Sequence, residues 1–155
     1  MLHRLCIILL LTAYGFIAYA QQDNSPNWLT FEQLNDSLAV KEKPVIIFLH
    51  TDWCRYCRKM LNETFPDKNV TEVLNSKYYA VKFDAESIDS VFFDGVYYTN
   101  QVTSKTTGKN HALANIFTGQ QNPAIFPVTI ILNKDFKMVN RKFNYLSTKQ
   151  LLKIL

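Results

Sequence analysis

The run Val45-Ile46-Ile47-Phe48-Leu49 is apolar without a break and rich in β-branched side chains. A strand with one wet face alternates apolar and polar residues. A strand that does not alternate must be covered on both faces, the pattern of a sheet buried between two layers of helices. The run ends in the polar loop His50-Thr51-Asp52-Trp53. From Cys54 the pattern turns helical, with Cys57, Met60 and Leu61 on one side and Arg55, Arg58, Lys59 and Asn62 mostly on the other. A strand feeding a helix through a short loop, with two cysteines at the helix start, leaves few architectures open.

The rest of the chain fills in the layers. Thr30 and Gln33 form a capping box for a helix carrying Phe31, Leu34 and Leu38, which Lys41-Glu42-Lys43-Pro44 ends. A second helix is expected over about residues 70–75, and Tyr78 to Phe83 reads as a second core strand. Val91-Phe92-Phe93 and Val96-Tyr97-Tyr98 flank Asp94-Gly95, a strong two-residue hairpin signal. A polar loop over residues 103–110 leads to a short helix opening at His111. Val128-Thr129-Ile130-Ile131-Leu132 reads as another buried strand, turned by Asn133-Lys134-Asp135 into residues 136–143. Ser147 and Gln150 cap a last helix over residues 151–155. An early βαβ unit followed by a hairpin and a closing helix predicts an α/β fold: a mixed central sheet with helices on both faces, carrying an inserted hairpin-plus-helix segment over about residues 87–121.

The N-terminus has a different character. Met1-Leu2-His3-Arg4 is a short basic start, Leu5 to Leu11 an apolar run, and Ala18-Tyr19-Ala20 a small-residue cleavage signal. The apolar stretch is short for a bilayer span, so residues 1–20 are expected to be a signal peptide, with an uncleaved anchor as the alternative. The expected destination is export, to a periplasm or to the medium. Cys6 lacks a lipoprotein cleavage context. Its removal with the signal peptide leaves, of the chain's three cysteines, Cys54 and Cys57. A secreted domain stapled by disulfides carries more cysteines, spread along its length. A pair this close closes too small a loop to stabilise the fold much by chain entropy, so the pair is there for chemistry. At 155 residues and a net charge of +4, with 19% charged residues of both signs interspersed, the chain shows no basic stripe for nucleic acid.

At a helix N-terminus, unpaired N–H groups and the helix dipole favour an anion. Cys54 is therefore the expected thiolate and attacking sulfur. Cys57, one turn in, is the expected resolving thiol. Arg55 is the expected charge that tunes Cys54, with Arg58 and Lys59 adding to it. Trp53 offers a flat surface to a substrate backbone. Half a zinc site is the competing reading of the pair. It needs two more ligands, and only His50 and His111 remain beyond the leader, at a spacing no familiar finger uses.

The block from Asp52 to Met60 resembles the active site of the thioredoxin superfamily, and most of all the soluble reductant domain of the membrane-bound thiol:disulfide interchange proteins. Phe126-Pro127-Val128-Thr129 is similar to the family's cis-proline turn, and the resemblance extends over roughly residues 30–155. It implies a thioredoxin-like three-layer sandwich, preceded by a leader over residues 21–29. It also implies a cis Phe126–Pro127 bond facing the cysteines, with the Phe126 backbone pairing with a substrate strand. Protein thiols and disulfides are the implied partners, together with a membrane-bound electron donor; no cofactor, metal or nucleic acid is implied. Two departures stand out. Phe48 occupies the position, six residues before Cys54, where thioredoxin-like reductants often bury an acid, and Arg55-Tyr56 replaces Gly-Pro between the cysteines. The expected function is an extracytoplasmic thiol–disulfide oxidoreductase. The alternative is a redox-inactive binding module that keeps the pair as a static disulfide or a metal site.

Overall fold

The computed structural model describes residues 24–119 and 125–155. The expected signal peptide, with Cys6, lies outside the described residues, as does the end of the expected insertion. The elements in chain order are β1 (Trp28–Leu29), α1 (Phe31–Val40), β2 (Val45–His50) and α2 (Arg55–Lys59), which continues as a π-helical turn (Met60–Thr64). There follow α3 (Lys68–Lys77), β3 (Tyr79–Asp84), the hairpin β4 (Val91–Phe93) and β5 (Val96–Tyr98), and α4 (Ala112–Thr118). β6 (Val128–Leu132), β7 (Met138–Lys142) and α5 (Thr148–Ile154) complete the chain. No described helix is long and apolar enough to cross a membrane.

The main sheet runs β1-β3-β2-β6-β7. β2 lies at its centre, parallel to β3 and antiparallel to β6. Its unbroken apolar run now has a direct explanation, because alternate side chains serve different cores. Val45, Ile47 and Leu49 pack with Phe31 and Leu34 of α1, the hairpin, Leu113 and Phe117 of α4, and Val128 and Ile130. Ile46 and Phe48 pack with Cys54, Cys57 and Met60, with Val70 and Leu74 of α3, and with Ile131 and Leu151. The result is the expected α/β three-layer sandwich with a mixed sheet.

Local signals behave as their chemistry demands. Thr30 caps α1 in a full capping box with Gln33, and Ser147 does the same for α5 with Gln150. Asp94 and Gly95 both take positive φ, 50° and 75°, as a tight turn matched to strand twist requires. Several boundaries differ from the expectation. α3 starts at Lys68 because Asp67 caps it through Asn69 and Val70 N–H. β7 starts at Met138 rather than Phe136. Asn133 Oδ1 accepts from the N–H of both Asp135 and Lys137, which draws the chain into a turn that puts Phe136 at φ 59°. Trp28 and Leu29, read as leader, form an edge strand parallel to β3.

Candidate redox site

The carboxyl ends of parallel neighbours reach the same edge of a sheet. Here β2 ends at His50 opposite Asp84 of β3, and the segments following both strands form the site. Thr51 and Asp52 turn the chain, and Cys54 N–H donates to Thr51 O at 3.2 Å. Cys54 is the N-cap of α2, and its Sγ accepts the Cys57 N–H at 3.0 Å. A disulfide joins Cys54 and Cys57, whose Cα atoms are 5.2 Å apart. Cys54 is 4% exposed and Cys57 1%, so both belong to the buried cluster, with Cys54 the outer of the two.

Two of the three nearby cations are engaged by other groups. Arg58 Nη1 donates to Asp52 O at 2.6 Å, bracing the turn before the cysteines. Lys59 reaches Glu63 at 3.8 Å and lies 5.2 Å over the Tyr145 ring. Arg55 is exposed and makes no hydrogen bond or ion pair among the described residues. Beside the disulfide stand two exposed rings, Tyr56 and Trp53. Tyr56 packs against Tyr145, and Trp53 meets Phe126 edge-on with centroids 6.2 Å apart. Phe126 packs against both core clusters, including the one that holds the cysteines. The Phe126–Pro127 bond is cis, as the resemblance implied.

Sequence reasoning missed the acids behind Trp53. Glu86, only 2% exposed, accepts the indole N–H on both carboxylate oxygens at 3.0 Å, and the Gly108 N–H at 2.5 Å. Lys105 bridges Asp52, at 2.5 Å, and Asp84. These two carboxylates push the Lys105 ammonium up to about 12, and Lys105 in turn holds the Asp52 carboxyl below its ordinary range. The available signal was Asp84-Ala85-Glu86 at the end of a strand parallel to β2, which places acids at the edge where the cysteines emerge.

Phe48 fills the place where reductants often bury an acid with an aromatic cluster. It is fully buried, with Phe65 at 4.8 Å, Trp28 at 6.4 Å and His50 stacked at 6.1 Å. Across the sheet Phe48 pairs with Thr129, whose buried Oγ1 has no hydrogen-bond partner among the described residues. Burial lowers the His50 pKa, against the opposing pull of Asp84. His111, the other zinc candidate, is fully buried and caps α4 instead. Its Nδ1 accepts from Leu113 N–H at 3.2 Å, and its Nε2 faces Asp89 O at 3.1 Å. Among the described residues no three His, Cys, Asp or Glu side chains converge as a metal site.

A family model named Thioredox_DsbH, described as "Protein of unknown function, DUF255", matches residues 14–152. No curated protein sequence matches the chain. Among solved structures, a DsbH oxidoreductase superposes with a TM-score of 0.55 at 16% identity, covering 84% of this chain and 82% of that one. A putative disulphide-isomerase from Bacteroides thetaiotaomicron gives 0.57 at 18% identity, covering 86% and 93%. The oxidised C-terminal domain of Neisseria meningitidis DsbD gives 0.50 at 13%, covering 82% and 94%. At these identities the likeness is one of fold, that of disulfide oxidoreductases, and here it carries a joined Cys54–Cys57 pair. The chain belongs to the Thioredox_DsbH family and, with it, to the thioredoxin superfamily.

Proposed function

We propose that this protein is an extracytoplasmic thiol–disulfide oxidoreductase that exchanges disulfides with protein substrates. The observation that carries the reading is the Cys54–Cys57 pair at the start of α2, flanked by exposed Trp53 and by Phe126 of the proline turn. In the oxidising direction a substrate thiolate attacks Cys54 Sγ, forming a mixed disulfide and releasing Cys57 as a thiolate. A second substrate thiolate then attacks the substrate sulfur of that bond. The substrate leaves as a disulfide and the enzyme as a dithiol. The reducing direction is the reverse, with Cys54 attacking and Cys57 resolving. Cys54 takes the attacking role because it is the outer sulfur and caps the helix, where the terminal N–H groups favour an anion. Trp53 and Phe126 form the wall against which a substrate strand lies, Pro127 holds the turn and Arg55 adds positive charge beside Cys54.

The basic, apolar and small-residue succession of residues 1–20 supports export, and a membrane-bound thiol donor is the partner that a reductant outside the cytoplasm requires. The test is turnover. The mature protein should reduce insulin disulfides in the presence of a dithiol, and Cys57→Ser should accumulate mixed disulfides through Cys54 that a reductant releases. A protein that neither turns over nor traps a partner is a static-disulfide binding module, and the enzymatic reading fails.

A further inference from the structure

The inserted segment is tied to the redox loop at two separate points. Lys105 pairs with Asp52, the residue before Trp53, and with Asp84 at the end of β3. Three residues on, the Gly108 N–H donates at 2.5 Å to the same buried Glu86 carboxylate that holds the Trp53 indole. Asn100 closes the loop, its Nδ2 donating to Ser87 O at 3.0 Å and Lys109 O at 2.8 Å. The chain then returns under Ala85, whose carbonyl accepts His111 N–H at 2.7 Å.

On the thiol–disulfide reading above, we propose that the loop of residues 100–109 is a clasp that sets Trp53 for protein substrates, with Lys105 as its positioning residue. Asp52 and Asp84 stand at adjacent ends of the parallel strands β2 and β3. Without a cation between them they would repel, and the Asp52–Trp53 turn would swing outward. With Lys105 in place they are drawn together. Glu86 makes the second tie. A buried carboxylate needs its N–H donors, and here it shares them between the indole and the clasp, so displacing the loop leaves it short of one and loosens Trp53. Arg58 on the Asp52 carbonyl braces the turn from the helix side, so the clasp supplies the restraint on the opposite side. The consequence is selective. A small disulfide needs only the sulfurs, whereas a protein strand must lie against Trp53 and Phe126.

The experiment compares the mature protein with Lys105→Met and with Lys105→Arg as the conservative rescue. The Lys105 side chain is 39% exposed and that of Asp52 72%, so the pair is screened and its loss moves binding by about two- to five-fold. In Lys105→Met the KM for insulin should rise by that factor with kcat unchanged. Exchange with a small aromatic disulfide should stay at the wild-type rate, and acrylamide should quench tryptophan fluorescence more strongly. Lys105→Arg should restore both. Raising salt from about 0.01 M to about 1 M, which shortens the screening length from about 30 to 3 Å, should raise the wild-type KM toward that of Lys105→Met and leave the variant unmoved. An unchanged KM and unchanged quenching in Lys105→Met at low salt overturn the clasp. An equal loss toward both disulfides overturns its selectivity. If the wild-type protein exchanges neither disulfide, the oxidoreductase reading falls separately, while quenching still decides whether Lys105 restrains Trp53.

Discussion

Replacing Phe48 by Asp would restore the acid that thioredoxin-like reductants often bury, and this fold should not tolerate it. The ring is fully buried and packs edge-on against Phe65 at 4.8 Å, with Trp28 and His50 on its flanks. Deleting a buried aromatic ring costs about 3–5 kcal/mol. The incoming carboxyl finds one buried polar neighbour across the sheet, Thr129 Oγ1, and its remaining unmet hydrogen bonds add about 1–3 kcal/mol. The sum, about 4–8 kcal/mol, approaches the whole stability of a domain that holds about 5–15 kcal/mol. With a urea slope of about 2 kcal/mol/M, the midpoint should fall by about 2–4 M, against less than about 1 M for Phe48→Leu. Burial raises the new acid's pKa above its unfolded value. The variant is therefore most stable relative to wild type below the ordinary carboxyl range, and loses stability as pH rises through the raised value. Urea midpoints at several pH values measure both effects. If Phe48→Asp is as stable as Phe48→Leu, or is favoured by rising pH, the aromatic cluster around Phe48 does not stabilise the fold as this reasoning requires.

Two further outcomes test the site and the fold. Arg55→Ala should lower the reduction potential of the Cys54–Cys57 couple by about 5–20 mV, because an exposed charge stabilises the thiolate form only weakly; glutathione equilibration measures it, and no change or a rise assigns Arg55 to partner contact. Burial depresses His111 below the ordinary histidine range, and its Nδ1 already accepts the Leu113 N–H, which a ring proton there would oppose. Its stability contribution is therefore complete above about pH 6.5 and is lost as pH falls through the depressed value. His111→Asn, which keeps an N-cap acceptor, should flatten the decline in thermal midpoint between about pH 7.5 and 5. A decline as steep as wild type's would move the acid sensitivity to another group, His50 first, since burial lowers its pKa too.

Much of the fold was legible because its signals are short-range. The β2 run declared a doubly covered strand, and Thr30/Gln33, Asp94-Gly95 and Ser147/Gln150 declared a helix start, a hairpin turn and a second helix start through interactions within four residues. The strand at Trp28 gave no such signal. A two-residue edge strand has no periodicity to show, and the rings that pack against this half-buried indole, Phe48 and Phe65, come from other elements. Its position explains why Phe48 is aromatic: the three rings fill the layer between the sheet and α2 from the β1 side.

The candidate site divides along the same line. Cys54, Cys57, Trp53 and Arg55 lie in one continuous stretch, so their spacing alone placed them at a helix start. Phe126 and Pro127 were reached through family resemblance and not through any pattern of their own. Glu86 and Lys105 had neither help, since Trp53 meets Glu86 across 33 positions and Asp52 meets Lys105 across 53. Topology nonetheless makes such contacts expected. Once β2 and β3 are parallel neighbours, whatever follows β3 must emerge beside the loop that follows β2. An acid pair there faces the redox loop's own Asp52, and that crowding of like charge calls for a cation from a later segment. The longer-than-minimal insertion supplies it in Lys105, and so its polar loop belongs to the redox edge of the sheet rather than to a separate appendage.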